Sequence, residues 1–421
     1  MTSTYWHPFA DMGAVPGNEF VVTRGEGIYL WDDQGRRYID GSSGLWHTQV
    51  GHGRTEIIEA VTRQLQTLDT YATFGDLANP LALELELADR LTTLAPMEGA
   101  KVFLGLGGGD GIDTAAKLAR QYWTVQGKPE RLHLISRTFG YHGTHGFGTS
   151  LVGMASMRQD HGPLIGSVSH VDHESADALE HEILRIGPQK VAAFFCEPVI
   201  GAGGIRPAPE GYMEAIGEIC KRHGVLLVID SVICAFGRVG TWFGYERWKI
   251  EPDMVVLAKG ITSGYLPLGG VLISAEIAEP FWAAPGGPVF RHGATYAGHP
   301  TCCAAALANL DILESENLIP RGRELEGELM AALSTLADHP ACGEIRGGLG
   351  LAAAVDLDAG LIKESPGALA RLTAGTRAAG LLTRIQATGV GIGPPLVIEP
   401  AQLHEIAAGI RAGLDAALAG A

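Results

Sequence analysis

The sequence predicts an α/β protein in which a large domain with a mostly parallel sheet is accompanied by a smaller, discontinuous α+β domain. Two observations predict this architecture. In the middle of the chain, short apolar runs alternate with loops and helical segments, as in βαβ units. The two ends differ from this middle, because the start reads as short strands and the end is rich in Ala and Leu. We expect the large domain over residues 60–310 and the small domain from residues 1–59 and 311–421.

The first segment predicts strands followed by helices. In EFVVTRGEGIYLWDDQGRRYIDG, apolar and polar residues alternate around a D-x-x-G turn from Asp32 to Gly35, which indicates two strands. From Arg54 to about Leu94 the apolar period lengthens to that of helices. Pro80 stands ahead of LALELELADRLTTLA and favours a helix N-terminus there.

The middle and the end of the chain supply the remaining elements. We expect strands at KVFLG, RLHLIS, VAAFFCEP, VLLVID, MVVLAKG and GGVLISA, and a helix at DTAAKLARQYW. The third to fifth of these strands are short apolar runs of the kind that parallel sheets bury on both faces. Further strands are expected near GLGLAAAVDL and LLTRIQ, and an amphipathic helix at AQLHEIAAGIRAGLDAALA. We expect this tail to join the N-terminal strands in the small domain.

Composition excludes several classes of protein. The chain has 421 residues, with 31 Lys and Arg against 47 Asp and Glu, and its formal charge of -16 disfavours nucleic acid and acidic membranes as partners. No apolar run approaches the length of a membrane span, and the start shows no signal pattern, so we expect a cytoplasmic protein. Six cysteines without a C-x-x-C pair argue against a disulfide framework or a cysteine metal site, and no metal is expected.

Three of the apolar runs end in ionisable residues. VAAFFC is followed by Glu197, VLLVI by Asp230 and MVVLA by Lys259. Because the carboxyl ends of parallel strands meet at one edge of a sheet, we expect these side chains to converge in a crevice there. Such a set suits pyridoxal 5'-phosphate: a lysine forms a Schiff base, a carboxylate keeps the pyridine nitrogen protonated, and an upstream loop anchors the phosphate.

The candidate phosphate loop is GLGGGDG, which precedes a helix. It lacks the closing glycine of a dinucleotide fingerprint, since Asp110 stands at that place, and it lacks the Gly-Lys-Ser/Thr of a Walker loop. Nicotinamide and ATP are therefore not favoured. The free N–H groups and the dipole of the following helix suit a phosphate. A tight turn that binds nothing is the other interpretation of these glycines.

These segments together resemble the class III (ω-aminotransferase) family of fold type I pyridoxal phosphate enzymes. The resemblance runs from about His7 to the C-terminus. It is carried by the stretches GEGIYLWDDQGRRYIDG, FGYHGTHG, IDSVICAFGRVG, LAKGITSGYLPLGG, HGATYAGHPTCCAAALANL and IGPPLVIEP. It implies a pyridoxal phosphate-dependent enzyme and a two-domain homodimer whose active sites lie at the subunit interface.

The resemblance also implies roles for the residues around the cofactor ring. Lys259 matches the Schiff-base lysine of the family, and Asp230 matches the carboxylate that pairs with the pyridinium nitrogen. Val232 matches the aliphatic residue on one face of the ring. Tyr141, in Tyr-His-Gly, matches the aromatic residue on the other face, and His142 beside it is counted among the cofactor-binding residues.

The phosphate and substrate ends are assigned in the same way. Gly108 and Gly109 match the phosphate turn, and Thr295 matches a hydroxyl that reaches the phosphate from the neighbouring subunit. Trp46, in Gly-Leu-Trp, lies where the family lines the substrate pocket, although core packing is an equally good interpretation of this residue alone. Arg384 stands ten residues before the Pro-Pro pair and matches the mobile arginine that holds a substrate carboxylate.

Some positions depart from the family pattern or carry a less certain role. Family members commonly read Ser-Gly-Ser-Glu-Ala-Asn where this chain has Gly107-Gly108-Gly109-Asp110-Gly111-Ile112, so two hydroxyls that could donate to the phosphate are missing. Ser231 stands where a glutamate is usual. Glu197, in Glu-Pro-Val, matches a motif acid near the cofactor. We expect these departures to affect cofactor affinity more than reaction type.

The implied activity is transfer of an amino group from an amine or ω-amino donor to an α-keto acid such as pyruvate, by a ping-pong mechanism. Two alternatives stay open at this point. One is a racemase or aminomutase of the same family, against which Arg384 argues because it suits a keto acid. The other is a non-catalytic binding protein that retains the fold, which the altered phosphate loop keeps in view. The identity of the amine donor is not apparent from the residues.

Overall fold

The structure is a computed structural model that describes residues 4–71 and 82–419. Pro80, where a helix N-terminus was expected, lies outside these residues. The helix expected to follow it is described from Ala82 to Leu94.

The strands run through the whole described chain. In order they are β1 (Val22–Glu26), β2 (Tyr29–Asp32), β3 (Arg37–Asp40), β4 (Lys101–Gly105), β5 (His133–Arg137), β6 (Val168–Val171), β7 (Val191–Cys196), β8 (Val199–Ile200), β9 (Arg206–Pro207), β10 (Leu226–Asp230), β11 (Met254–Leu257), β12 (Gly269–Ile273), β13 (Cys342–Arg346), β14 (Ala353–Leu357), β15 (Leu381–Leu382), β16 (Arg384–Ile385) and β17 (Gly389–Ile392).

Some of the helices begin at residues that are typical of helix N-termini. For example, the last helix begins at Pro400 behind a capping box of Glu399 and Gln402. In order the helices are α1 (Ser43–Trp46), α2 (Thr55–Thr67), α3 (Ala82–Leu94), α4 (Gly108–Val125), α5 (Gly146–Leu151), α6 (Ala176–Ile186), α7 (Tyr212–His223), α8 (Ala275–Trp282), α9 (Pro300–Ser315), α10 (Arg321–Glu324), α11 (Glu326–Ser334), α12 (Ala359–Glu364), α13 (Ala368–Ala378) and α14 (Pro400–Leu418).

The largest sheet has seven strands in the order β4-β12-β11-β10-β7-β5-β6. The strands β11, β10, β7, β5 and β6 pair in parallel. Only β12 runs antiparallel, to β11 on one side and to β4 on the other. This confirms the α/β fold with a mostly parallel sheet. Neighbouring parallel strands are often not consecutive in sequence, because parallel strands need long crossover connections between them.

The central strands of this sheet are buried along their whole length. Every residue of β7, β10, β11 and β12 is buried, including Phe194 and Phe195. Helix α4 packs against β11 and β12 and contributes to one of the buried clusters. Burial of a large apolar side chain stabilises a fold by about 1.5–3 kcal/mol, so this sheet is a rigid platform for residues at its edge.

The N-terminal segment differs in one respect from the expectation of two strands. Three strands form there, because Gly27 (φ +57°) makes an additional turn between β1 and β2. The predicted turn from Asp32 to Gly35 joins β2 to β3, with the Gly35 N–H donating to the Asp32 carbonyl at 3.1 Å.

The C-terminal tail contributes to two smaller sheets. Strand β15 pairs in parallel with β3, so the tail extends the N-terminal sheet to the order β1-β2-β3-β15. Strands β13, β14, β17 and β16 form a separate four-stranded sheet. The LLTRIQ segment, expected as one strand, is divided between β15 and β16. The boundaries proposed for the two domains stay a prediction.

Candidate active site

A cavity of about 550 Å³ opens at the carboxyl ends of β7, β10 and β11. Eight of the residues expected at the site lie in its wall. They are Gly108, Gly109, Tyr141, His142, Glu197, Asp230, Val232 and Lys259. The apolar runs that end in ionisable residues therefore do converge in one crevice.

Lys259 follows β11 in a strained turn. It opens a 3₁₀ turn, Lys259–Ile261, with φ +45°, a left-handed conformation that costs a non-glycine residue about 1–3 kcal/mol. The turn is held by the buried Asn309, whose amide donates to the carbonyls of Gly260 and Ile261 at 2.9 and 3.0 Å. The surrounding structure thus fixes the direction in which the lysine leaves the strand.

The surroundings of Lys259 make its amine reactive. Burial lowers the pKa of the Lys259 amine, and the negative charge of Asp230 opposes that shift in part. A lysine with a lowered pKa is neutral in a larger fraction of molecules, and only the neutral amine is a nucleophile or a base. This is the property required of a residue that bonds a carbonyl and moves a proton.

Asp230 is the last residue of β10 and is held on both carboxylate oxygens. Its Oδ1 accepts a hydrogen bond from the backbone N–H of Val232 at 3.1 Å, and its Oδ2 lies 2.8 Å from Nδ1 of His142. His142 is buried, and its Nε2 has no hydrogen-bond partner in the described chain. The histidine therefore orients a carboxylate that keeps further lone pairs for a cationic ring nitrogen.

Glu197 follows β7 and anchors the loop that carries Tyr141. One carboxylate oxygen accepts from the Tyr141 N–H and the other from the Gly201 N–H, each at 2.9 Å. Burial raises the pKa of Glu197, and the nearby charge of Asp230 raises it further. These two bonds fix the loop that carries Tyr141 against the end of β7.

The glycine-rich segment forms the other end of the cavity. Helix α4 begins at Gly108, so these glycines lie in its first turn and not in a loop ahead of DTAAKLARQYW as expected. The first N–H groups of a helix have no partner within it, and Gly107 at the N-cap has no side chain to accept from them. An 18-residue helix thus points free N–H groups and its positive dipole end into the cavity.

The three glycines differ in the room around them. A Cβ on Gly108 would lie 2.8 Å from a methyl group of Val232, so this position excludes a side chain. A Cβ on Gly109 would meet His145 only at 3.6 Å, and one on Gly107 would have nothing within 4 Å. The two positions at which the family commonly has serine therefore have space for it.

Three expected site residues lie away from the cavity wall. Trp46 is only 2% exposed and packs in a cluster with Val199 and Ile233, so its expected place in the pocket lining is not observed. Its neighbours Leu45 and His47 form the wall instead. The sequence reasoning missed His47, although its position next to Trp46 was a signal.

Arg384 and Thr295 are both exposed. Arg384 lies in β16, and within the described residues it makes no ion pair or side-chain hydrogen bond. Its charge nevertheless acts on the cavity, since it lowers the pKa of Lys259 and counteracts the raised pKa of Tyr141. Thr295 follows α8 at the surface of this single chain.

The residues present fit pyridoxal phosphate. The cavity combines an amine of lowered pKa, an oriented carboxylate and a cradle of N–H groups that admits no side chain at Gly108. In residues 4–71 and 82–419, no group of three or more His, Cys, Asp or Glu side chains is arranged to hold a metal ion.

Comparisons with known proteins agree with this site. The family model for class III aminotransferases matches residues 12–414. A putrescine–pyruvate aminotransferase of Pseudomonas aeruginosa is 36% identical over 419 residues, covering 94% of this chain and 90% of the relative. An (S)-enantioselective ω-transaminase of Thermomicrobium roseum superposes with a TM-score of 0.93 at 37% identity, covering 98% and 96% of the two chains. A PLP-bound amine transaminase of an uncultivated Pseudomonas species has a TM-score of 0.92 at 36% identity, covering 98% of each chain.

Fold and site together define an enzyme of the pyridoxal phosphate-dependent class. The chain belongs to the class III aminotransferase family. The expected fold type I architecture, cofactor and aminotransferase activity are thereby confirmed, and transfer of an amino group from an amine to a keto acid is the activity supported. The racemase and the non-catalytic alternatives are not favoured.

Proposed function

We propose that this aminotransferase takes an amino group from a primary amine or ω-amino donor and passes it to an α-keto acid such as pyruvate, in two half-reactions. The observation that carries the proposal is the convergence of Lys259 and Asp230 at the ends of two adjacent parallel strands. The putrescine–pyruvate relative and a β-alanine–pyruvate aminotransferase of Pseudomonas aeruginosa, 37% identical over 374 residues, have different donors and the same acceptor, and they support pyruvate as the acceptor.

The strand-end residues Lys259, Asp230 and Glu197 form what we call the ring end of the cavity, and the glycines at the start of α4 form its phosphate end. Lys259 and Asp230 each have one task in this proposal. When bound, pyridoxal phosphate supplies an electron-accepting ring that stabilises negative charge on the substrate carbon. Lys259 would hold the cofactor covalently between turnovers and, with its amine free, would carry the proton to and from the substrate carbon. Asp230 would pair with the ring nitrogen and keep it protonated, while His142 holds the Asp230 carboxylate in place.

A mobile arginine would allow one cavity to bind two unlike substrates in turn. A keto acid brings a carboxylate that an apolar amine lacks, and burying that anion alone costs several kcal/mol. Arg384 is exposed and unpaired in the described chain, yet its charge reaches Lys259 and Tyr141. In the proposal its guanidinium turns inward to form a bidentate pair with the keto acid and outward to water for the amine.

The proposal includes a homodimer in which two chains complete each site. Thr295 is exposed here and is assigned to the phosphate of the partner subunit. Large aromatic side chains are also exposed, with Trp6 at 80% and Tyr296, next to Thr295 in sequence, at 64%, as expected of a surface that another chain covers. A cytoplasmic location is also proposed, and its support is that all six cysteines are free thiols. Among the described residues, none of the helices has the length and apolar character of a membrane span.

The deciding experiment follows the visible absorbance of the purified holoenzyme. A primary amine alone should bleach the band, and pyruvate added afterwards should restore it. A racemase would turn over without a keto acid, and a binding protein would not bleach. The Lys259→Ala variant, treated identically, is the matched control for bleaching that does not need the lysine.

A further inference from the structure

His47 lies in the same cavity wall as Lys259. It is half-buried, and burial together with the charge of Lys259 lowers its pKa. A substrate that reacts at Lys259 occupies the cavity to whose wall His47 contributes.

Two glycines make room for the imidazole ring and hold it in one position. A Cβ on Gly264 would lie 2.1 Å from Cδ2 of His47, and one on Gly44 would lie 2.7 Å from Cε1. Both glycines have left-handed backbones, with φ +77° and φ +62°. The imidazole ring thus lies between the backbones of Gly44 and Gly264. A side chain at either glycine would take the place of the ring.

A backbone hydrogen bond selects the tautomer of the ring. The Leu45 N–H donates to Nδ1 of His47 at 3.2 Å, so Nδ1 is an acceptor. A neutral imidazole whose Nδ1 accepts carries its proton on Nε2. Among the described residues, this Nε2–H has no hydrogen-bond partner.

The charges around His47 favour the neutral ring. Burial lowers the pKa of His47, and Lys259 and His52 lower it further, whereas Asp40 raises it. Asp40 is engaged elsewhere, because its Oδ2 accepts from His52 and from the Gly44 N–H. His47 therefore contributes a fixed N–H donor on a neutral ring to the part of the cavity wall that it shares with Gly264.

We propose that His47 is a specificity-determining residue that binds an oxygen acceptor on the tail of the amine donor and disfavours a tail that ends in a second ammonium. An ether, hydroxyl or carboxylate oxygen accepts the Nε2–H bond. An ammonium offers only donors and faces a donor. This inference rests on the proposed function and narrows it to amines whose tails carry oxygen acceptors.

The test compares three amines with the same number of non-hydrogen atoms: 3-methoxypropan-1-amine, pentan-1-amine and 1,4-diaminobutane. The rate of cofactor bleaching is measured for each with the wild-type holoenzyme and with His47→Phe, which keeps a ring and loses the N–H. We expect the preference for the ether over pentan-1-amine to fall about fivefold in His47→Phe, the value of one ordinary hydrogen bond. The relative rate with 1,4-diaminobutane should rise. Unchanged ratios would overturn the proposal.

Two further variants separate this contact from general damage. His47→Gln retains an N–H donor but can also turn an acceptor to the cavity, so it should keep the ether preference and lose the penalty against the diamine. His181→Phe changes a histidine on exposed α6 and should leave all ratios as in the wild type. Loss of the ether preference in His47→Gln as well as in His47→Phe would mean that His47 acts through its size and shape and not through an N–H donor, which would overturn the proposal.

A readout independent of turnover is the tautomer itself. With ¹⁵N-labelled histidine, the nitrogen resonances that disappear in His47→Phe should report a neutral ring protonated on Nε2 at neutral pH. Protonation on Nδ1 would refute the proposal. If no primary amine bleaches the wild-type enzyme, the proposed function fails instead, and this spectrum still decides the state of His47.

Discussion

The two ends of the cavity are built differently. At the ring end, Lys259, Asp230 and Glu197 are side chains at the ends of buried strands, and hydrogen bonds hold the two carboxylates. At the phosphate end, Gly107, Gly108 and Gly109 offer the backbone of a helix N-terminus and no side-chain donor. The chemistry thus depends on charged side chains held by a rigid sheet, whereas anchoring depends on backbone N–H groups and on the space around the glycines. Substitutions at the first end should change the reaction rate, and substitutions at the second should change cofactor retention.

The largest effect is expected from Lys259→Ala. This change removes both the covalent attachment and the proton carrier, so the transamination rate should fall by about four orders of magnitude. The visible band of the lysine-bound cofactor should disappear as well. Circular dichroism should show an intact fold, because the side chain of Lys259 makes no hydrogen bond within the described residues. Turnover at the wild-type rate without added amines would show that the covalent residue lies elsewhere.

Asp230→Asn should have the next largest effect. The amide keeps the size of the carboxylate but cannot hold the ring nitrogen protonated, so the rate should fall about a hundredfold while the visible band remains. Stopped-flow bleaching with one amine donor measures the loss. A bleaching rate equal to that of the wild type would mean that a different residue pairs with the ring nitrogen.

Arg384→Ala changes a residue that lies outside both ends of the cavity. The KM for pyruvate should rise ten- to a hundredfold, or about 1.4–2.8 kcal/mol, because the carboxylate loses its partner. The half-reaction with an apolar amine should change little. The two half-reactions are followed separately by cofactor absorbance. An equal loss in both would indicate general damage, and no loss in either would mean that another residue binds the carboxylate.

The smallest effects are expected at the phosphate end, where two neighbouring glycines should respond in opposite directions. Gly108→Ser drives a side chain into Val232 and should weaken cofactor binding about tenfold. Gly109→Ser has room for its Cβ and adds a hydroxyl, so the aminated cofactor should dissociate severalfold more slowly. Dialysis followed by cofactor absorbance measures both. Equal or faster loss from Gly109→Ser would mean that the turn does not direct a hydroxyl at the phosphate.

The sequence alone predicted the ring end well and the rest of the site less well. Apolar runs that end in Glu197, Asp230 and Lys259 mark strand ends directly, so their convergence could be expected. The bond between His142 and Asp230 spans 88 residues of sequence, and no local pattern announces it.

The pocket wall near Trp46 shows why side-chain direction is harder to predict. Trp46 (φ +56°) and Ser43 (φ +47°) adopt left-handed conformations, and this irregular backbone turns the indole into the core and leaves His47 in the wall. Propensity gives no warning of such conformations in residues with side chains. The antiparallel direction of β12 could not be predicted from the sequence either, because an apolar run of five residues has the same composition in either direction.

The pairing of β10 with β11 has a consequence for how the enzyme comes apart. Asp230 stands opposite Val256 on the adjacent strand, and Lys259 follows Val256 by three residues, in the turn that Asn309 holds. We therefore expect the carboxylate and the lysine to separate when the centre of the large sheet opens. The visible absorbance of the bound cofactor should therefore report whether the centre of that sheet is folded. On heating, visible absorbance and far-ultraviolet circular dichroism should be lost in one coincident transition.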